Sequence, residues 1–169
     1  MSAVVELFAN TLGQFIPAEL VCFIISMIPV LELRGGLLAA SILGVTYWKA
    51  VIVCVIGNII PIPFILLFIK QILKLMKKVK GLGKFAIWLE NKAQKKSSAL
   101  KKGEFLGLML FVGIPLPGTG AWTGSLIAAL MDIDIKKAVA AELCGLCIAT
   151  AIMSLISYGV LGSIFSFLG

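Results

Sequence analysis

Residues 27–44 read MIPVLELRGGLLAASILG, an apolar segment interrupted by a proline, two charged residues and two adjacent glycines. The uncharged runs on either side of the charges, residues 20–31 and 35–48, hold 12 and 14 residues. A transmembrane helix needs about 20 apolar residues, at about 1.5 Å each, to cross about 30 Å of hydrocarbon. Each run therefore reaches only part of the way, and no straight helix passes through the interruption.

The second half of the chain contains a similar interruption. The uncharged run at residues 105–131 has 27 residues, but GIPLPGTG occupies its middle at positions 113–120. Residues 50–69, by contrast, give 20 uncharged residues in a row, which is enough for one span. A second long uncharged run closes the chain at residues 143–169. The sequence thus pairs each broken apolar segment with a longer span.

Composition decides the class of protein. Hydrophobic residues make up 60% and charged residues 14% of the 169, whereas soluble domains average about 45–50% and about 25%. With a mean hydropathy of +1.11, we predict an all-α integral membrane protein with one membrane domain over residues 1–169. The chain has no histidine, which excludes imidazole ligands and Ser-His-Asp hydrolysis. We therefore predict no enzyme activity, no metal and no cofactor.

Basic residues are concentrated in one segment. Eleven of the fifteen lie between Lys70 and Lys102, so the positive-inside rule places residues 70–103 in the cytoplasm. Apolar residues recur there at helical spacing on both sides of Gly81-Leu-Gly83, which predicts two amphipathic interfacial helices. This segment is expected to contact anionic inner-leaflet lipid, or to be a solvated loop with no ligand of its own; nucleic acid is not needed to explain it. We also predict an interfacial helix at residues 1–17.

The chain contains an internal repeat. Aligning residues 36–57 with 124–145 gives seven identities in 22 positions without a gap, and Ile28-Pro29 then corresponds to Ile114-Pro115 once two residues are inserted. We predict repeat 1 at residues 18–69 and repeat 2 at residues 104–169. The identities are Gly36/Gly124, Leu38/Leu126, Ala40/Ala128, Lys49/Lys137, Ala50/Ala138, Val51/Val139 and Gly57/Gly145.

Two architectures fit this repeat. If each broken segment is a re-entrant hairpin, the copies are inverted, and if each is one kinked span, the copies run parallel. With hairpins, thirteen lysines lie inside and only Lys49 outside; with kinked spans, Lys136 and Lys137 join Lys49 outside and eleven stay inside. The charge rule favours inverted hairpins with both termini outside. Broken backbone at membrane depth needs a watery or protein-lined cavity, so the two hairpin tips predict a transport site at the midplane.

Charged residues at the breaks are the candidate site. Arg34 is the only arginine, and a charge at membrane depth is costly unless it is paired or hydrated. We expect Arg34 and the N-termini of helices starting near Gly35-Gly36 and near Thr119-Gly120 to bind an anion, the alternative being a structural pair with Glu32. Glu32 and Glu142 are the candidates for proton coupling. The predicted substrate-binding residues are Glu32, Arg34, Gly35, Gly36, Asn58, Pro117, Gly118, Thr119, Gly120 and Trp122.

Two further motifs have structural interpretations. Asn58 precedes Pro61 and Pro63, and its side chain either bonds a carbonyl that the prolines leave free or lines the cavity. Asp132-Ile-Asp134 matches the DxD of metal-dependent glycosyl transfer, but here it predicts an interfacial turn and a helix N-cap.

The segments MIPVLELRGGLLAASILG and VGIPLPGTGAWTGSLIAALM, at 27–44 and 112–131, resemble a bacterial family named putative small multidrug export proteins. This resemblance covers most of the chain and implies a polytopic inner-membrane protein with a role in export. More distantly, the Pro117-Gly118 break and the hairpin-plus-span repeat are similar to the DedA superfamily. That group is linked to moving polyprenyl phosphate or phospholipids, with acidic and arginine residues at the hairpins. In this chain residues 113–124 contain no arginine, so the resemblance implies that Arg34 takes the role of the hairpin arginine.

Three functional hypotheses follow. The first is a small, oligomeric, proton- or ion-coupled transporter for an amphipathic substrate with an anionic head group, a lipid phosphate being favoured. The second is export of cationic drug-like compounds, with Glu32 and Glu142 as the binding carboxylates. The third is a membrane scaffold or assembly factor that transports nothing, in which the breaks serve helix packing.

Overall fold

The computed structural model describes residues 16–79, 82–97, 103–116 and 118–160, which are helical and contain no β-strand. Apart from Ile16 and Pro17, the interfacial helix predicted at residues 1–17 lies outside the described residues, as does Pro117. The helices are α1 (Ala18–Met27), α2 (Glu32–Ile42), α3 (Tyr47–Ile59), α4 (Pro61–Lys78), α5 (Leu82–Ser97), α6 (Glu104–Gly113), α7 (Ala121–Leu130) and α8 (Ile135–Ser154), which continues as a π-helix, Leu155–Val160.

Helices α1 and α2 pack side by side as a helical hairpin, here called hairpin 1. Helix α1 ends at Met27, and the next residue, Ile28, is extended (ψ 132°) because a residue before proline is disfavoured in the helical region. Glu32 then takes a left-handed φ of +50° and begins α2. A Cβ on Gly36 would lie 1.9 Å from Ser26 Oγ and 3.2 Å from the Cys22 carbonyl oxygen, so the two backbones are in close contact. Helices of 10 and 11 residues are each about 15 Å long, half of a bilayer core.

Helices α6 and α7 form a second pair, hairpin 2. Helix α6 ends at Gly113, the next residue, Ile114, is extended (ψ 119°) before a proline, and α7 begins at Ala121. Between them Gly118 and Gly120 have φ of +75° and +131°, values that residues with a Cβ rarely adopt. A Cβ on Gly124 would lie 2.8 Å from Val112 Cγ2.

The two hairpins use the same packing contacts. A Cβ on Gly57 of α3 would lie 2.7 Å from the Phe23 carbonyl oxygen, and one on Gly145 of α8 would lie 2.5 Å from the Met109 carbonyl oxygen. Adding 86 to the bounds of α1 gives those of α6, and adding 88 to the first residue of α3 gives that of α8. The repeat found in the sequence therefore corresponds to a repeated helix arrangement. Inversion of the second copy and re-entry into the membrane stay predictions.

Within the described residues, two helices are long and apolar enough to cross a membrane. They run from Tyr47 to Lys78 (32 residues), through Ile60 and Pro61, and from Ile135 to Gly159 (25 residues). The first is about 48 Å long, so its lysine-rich end extends beyond about 30 Å of hydrocarbon. The sequence predicted a separate amphipathic helix after Lys70; instead α4 continues to Lys78, because no proline or glycine interrupts the chain between Pro63 and Gly81. A second helix does follow, as α5.

The described residues fall into two compact units. One combines those up to Ile60 with those from Leu146 onward, and the other is Pro61–Gly145. The first has a core of α1, α2 and α3 side chains joined by Leu146, Ala149 and Met153. The second has a core from α4 to α8, which includes Leu73, Leu108 and Ile127. Each unit therefore contains one hairpin and part of each long helix.

Candidate functional site

The break of hairpin 1 buries two opposite charges. Glu32 is 5% exposed and Arg34 is 8% exposed, and Glu32 is the charge that acts on the guanidinium. Residues two apart do not share a helix face, so a straight helix would separate them. The left-handed backbone at Glu32, which costs about 1 kcal/mol or more in a non-glycine residue, lets the first turn of α2 depart from that geometry.

The start of α2 differs from the prediction that a helix begins near Gly35-Gly36. Helix α2 begins at Glu32, three residues earlier, and the Gly35 N–H already donates to the Leu31 carbonyl at 2.7 Å. That N–H is therefore not available to an anion. Both glycines instead allow close packing, because a Cβ on Gly35 would lie 2.7 Å from Leu31 Cβ and one on Gly36 would overlap Ser26.

Asn58 lies at the same level of the first unit as Glu32. The four-residue connection at 43–46 makes α2 and α3 antiparallel neighbours. Gly36 packs against Cys54, because a Cβ added to Gly36 would lie 2.9 Å from Cys54 Sγ. Glu32 is one turn before Gly36, and Asn58 is one turn after Cys54. Asn58 is 1% exposed, and its Oδ1 has no hydrogen-bond partner among the described residues. Glu32, Arg34 and Asn58 are therefore three buried polar residues of the first unit.

The break of hairpin 2 is held by its own hydroxyl. Thr119 Oγ1 lies 3.0 Å from the Ile114 carbonyl and 2.8 Å from the Leu116 carbonyl, and accepts the Leu116 N–H at 3.2 Å. Thr119, predicted as a substrate ligand, therefore closes the turn itself. Trp122, in the first turn of α7, is half-buried and lines an apolar groove against α4.

Glu142 is the most deeply buried acid of the described residues. It is 0% exposed, and its Oε2 accepts a hydrogen bond from Ser125 Oγ at 2.9 Å. A Cβ on Gly124 would lie 3.5 Å from Oε1, so the carboxyl group lies at the contact between α7 and α8. In the repeat, Glu142 corresponds to Cys54, which meets Gly36 in the same way. Ser125 was not predicted from the sequence, because nothing distinguishes it from Thr123, the other hydroxyl residue of α7.

An ion pair closes the open end of each hairpin. Lys49 Nζ lies 3.4 Å from Glu19 Oε1, and Lys137 Nζ lies 2.6 Å from Glu104 Oε2. A hydrogen bond from the backbone of Glu19 and then one from Lys49 lower the pKa of that exposed carboxyl group. The two lysines are equivalent in the repeat, so both hairpins are joined to the following long helix at the same point.

The Asp132-Ile-Asp134 motif forms the turn and N-cap that the sequence predicted. Asp134 Oδ1 accepts the Lys137 N–H at 3.1 Å at the start of α8, and Asp132 has a left-handed φ of +55° and pairs with Lys70. Both aspartates are therefore committed to the connection between α7 and α8.

Comparison with known proteins identifies the family. A family described as "Putative small multi-drug export protein" matches residues 32–152, which contain Glu32, Arg34, the break of hairpin 2, Asn58 and Glu142. No curated protein and no solved structure matches the chain. The match covers more than two thirds of the sequence and agrees with the two membrane-length helices. The chain therefore belongs to this family of small membrane export proteins.

Proposed function

We propose that this protein is a small proton-coupled transporter that moves an amphipathic molecule with an anionic head group, a lipid phosphate being favoured. The observation that carries the proposal is the burial of the opposite charges Glu32 and Arg34 at the break of hairpin 1. A buried ion pair contributes little to stability, because the desolvation of both charges offsets their attraction. A stable hairpin would not need it, whereas an anion site does need a fixed guanidinium, which bonds phosphate through two N–H groups.

The pair also supplies a coupling step. When an anionic head group binds Arg34, Glu32 loses its counter-charge, and an uncompensated buried carboxylate costs several kcal/mol. Protonation of Glu32 removes that cost and gives the occupied site the same net charge as the empty site. One proton and one anionic head group are therefore bound together. Glu142 is the second proton acceptor in this proposal, since it is fully buried and neutralisation is the alternative to an internal charge.

The membrane arrangement belongs to the same proposal. Each hairpin helix has 10 or 11 residues and the two helices of each hairpin pack together, which supports entry and exit on one side of the bilayer. We propose inverted hairpins in the bacterial inner membrane, with residues 70–103 in the cytoplasm, both termini outside and a homo-oligomeric assembly. The midplane cavity between the breaks and the similarity to the DedA superfamily stay predictions.

The test is flux in reconstituted vesicles of the purified protein. With a fluorescent phosphatidic acid as substrate and a quencher added outside, Arg34→Ala should lower the translocation rate at least about tenfold, because one lost charged hydrogen bond is worth about 1.5–3 kcal/mol. Arg34→Lys should keep part of the rate. Lys49→Gln is the matched control, an exposed cation of the same unit. Unchanged flux in Arg34→Ala would show that no anion site exists at this break.

Export of cationic amphiphiles is the second candidate, and one observation favours it: Glu142 is completely buried and held by a hydroxyl. Such a carboxylate suits a lipophilic cation. This candidate predicts that tetraphenylphosphonium is transported, that Glu142→Gln abolishes that flux and that Arg34→Ala preserves it. The scaffold hypothesis predicts instead that no flux depends on Glu32, Arg34 or Glu142.

A further inference from the structure

An apolar groove of about 490 Å³ runs along α4 in the second unit. A volume of this size is typical of sites for small organic ligands, about 300–1,000 Å³. The groove lies on a face of α4, and Trp122 of α7 contributes to its lining. Its walls include Pro61, Phe64, Phe68, Ile72, Leu75 and Trp122.

The length of the groove matches one leaflet. From Pro61 to Leu75 the helix rises about 21 Å, slightly more than half of the hydrocarbon thickness of about 30 Å. The groove lies on a helix that is long and apolar enough to span the membrane, and Phe64 and Phe68 are 61% and 50% exposed. The lining is apolar except for Gln71. This shape and chemistry suit one extended acyl chain.

Two lysines lie near the Leu75 end of the groove. Lys78 follows Leu75 by three residues and Lys74 follows Gln71 by three, so each projects near the groove's last turn. Both are exposed, and within the described part of the chain neither has an ion-pair partner, whereas Lys77 is paired with Glu90. They lie in the segment that the charge rule places at the anionic cytoplasmic surface.

We propose that this groove binds one acyl chain of an anionic phospholipid, whose head group is held by Lys74 and Lys78. Two observations support the proposal. The apolar groove has the length of one leaflet, and Lys74 and Lys78, which have no ion-pair partner among the described residues, lie where a phosphate would lie. The site does not depend on the transport proposed above, because it is built from α4 and α7 and uses neither Arg34 nor Glu142.

Tryptophan quenching tests this site. The variant Trp48→Phe/Trp88→Phe keeps only Trp122, and is reconstituted into phosphatidylcholine vesicles that contain brominated phosphatidylglycerol or brominated phosphatidylcholine. Each lysine near an anionic head group contributes about a fivefold preference. Half-quenching of Trp122 should therefore need at least about fivefold less of the anionic lipid. Lys74→Gln/Lys78→Gln should remove that preference.

Two controls are available in the same chain. Trp88→Phe/Trp122→Phe keeps Trp48, which is 70% exposed on the other unit and reports ordinary surrounding lipid. Lys49→Gln/Lys136→Gln removes the same charge away from the groove and should keep the preference. An equal preference at Trp48 and Trp122 would overturn the proposal. If neither brominated lipid quenched Trp122, a second copy of the chain would cover the groove, and the proposal would be wrong. If tetraphenylphosphonium relieved the quenching, the groove would be a drug site, and the proposal would also be wrong.

Discussion

Glycines set how closely the helices of each hairpin approach. Gly36→Ala places a methyl group where Ser26 Oγ and the Cys22 carbonyl lie, at 1.9 and 3.2 Å. Overpacking of this kind costs about 1–3 kcal/mol, so we expect a lower Tm for the detergent-solubilised variant. The measurement is loss of the monodisperse chromatographic peak after heating.

Gly159→Ala is the matched control, because nothing lies within 4 Å of a Cβ there. The double variant Gly36→Ala/Ser26→Ala removes the nearest oxygen and should recover part of the lost stability. If Gly36→Ala were as stable as the parent, the close contact between α1 and α2 would be incorrect.

The hydrogen bond from Ser125 to Glu142 gives a second prediction. Ser125→Ala removes the donor at 2.9 Å and should cost about 1–3 kcal/mol, since a buried carboxyl oxygen loses its partner. Glu142→Gln keeps the size of the side chain but cannot take up a proton. We expect it to fold and to show flux that depends less on pH than that of the parent, with Glu32 responsible for the dependence that is left.

Thr123→Ala is a control for Ser125→Ala, because it also removes a hydroxyl group from α7, two residues away and at a less buried position. Flux by Glu142→Gln with the same pH profile as the parent would exclude Glu142 as the coupling group, leaving Glu32.

Ionisable residues were predictable from sequence, and their supporting contacts were not. Glu32, Arg34 and Glu142 stand out because charges are rare in apolar segments, and all three are buried. Ser125 and the left-handed backbone of Glu32 leave no sequence signal, since both depend on which helices pack together. Gly35 and Gly36 permit close helix packing, and their predicted role in binding an anion stays a prediction.

Among the helices, broken and unbroken segments were predicted correctly from proline, glycine and run length. The end of α4 was not, because amphipathic periodicity does not say whether a helix is separate from the span before it. The π-helix Leu155–Val160 was not foreseen either, as its sequence is apolar like the rest of α8. Its residues are hydrogen-bonded to Ser41 of α2 and to Val45 of the connection between α2 and α3.

That π-helix gives the third prediction. Tyr158 Oη donates to the Val45 carbonyl at 2.9 Å, and Ser41 Oγ donates to the Ser157 carbonyl at 2.6 Å. Tyr158→Phe should lower stability by about 1 kcal/mol, because the bond is lost while the ring remains. Tyr47→Phe is the matched control, since the Tyr47 ring meets Tyr158 edge-on, at 5.4 Å between centroids, and both variants keep that contact. Equal Tm values for the two variants would contradict this role for the hydroxyl group.

For the molecule as a whole, charge distribution is the main guide to orientation in the membrane. Lys49 and Lys137 are equivalent in the repeat, and each is paired with an acid at the open end of a hairpin. If the hairpins are re-entrant, the long helix after Lys49 carries the chain across the bilayer before hairpin 2 begins. The two lysines must then lie on opposite sides. If each broken segment crosses as a kinked span, both lie outside.

The fourth prediction follows from that difference. In a chain whose four cysteines are replaced by alanine or serine, Lys49→Cys should react with a membrane-impermeant maleimide in intact cells, whereas Lys137→Cys should react only after the membrane is opened. Lys49→Cys is outside in either arrangement and confirms that the reagent works. Labelling of Lys137→Cys in intact cells would establish parallel kinked spans. It would remove the basis for a site built from inverted hairpins, and the scaffold hypothesis, in which the breaks serve helix packing, would become the better explanation of the fold.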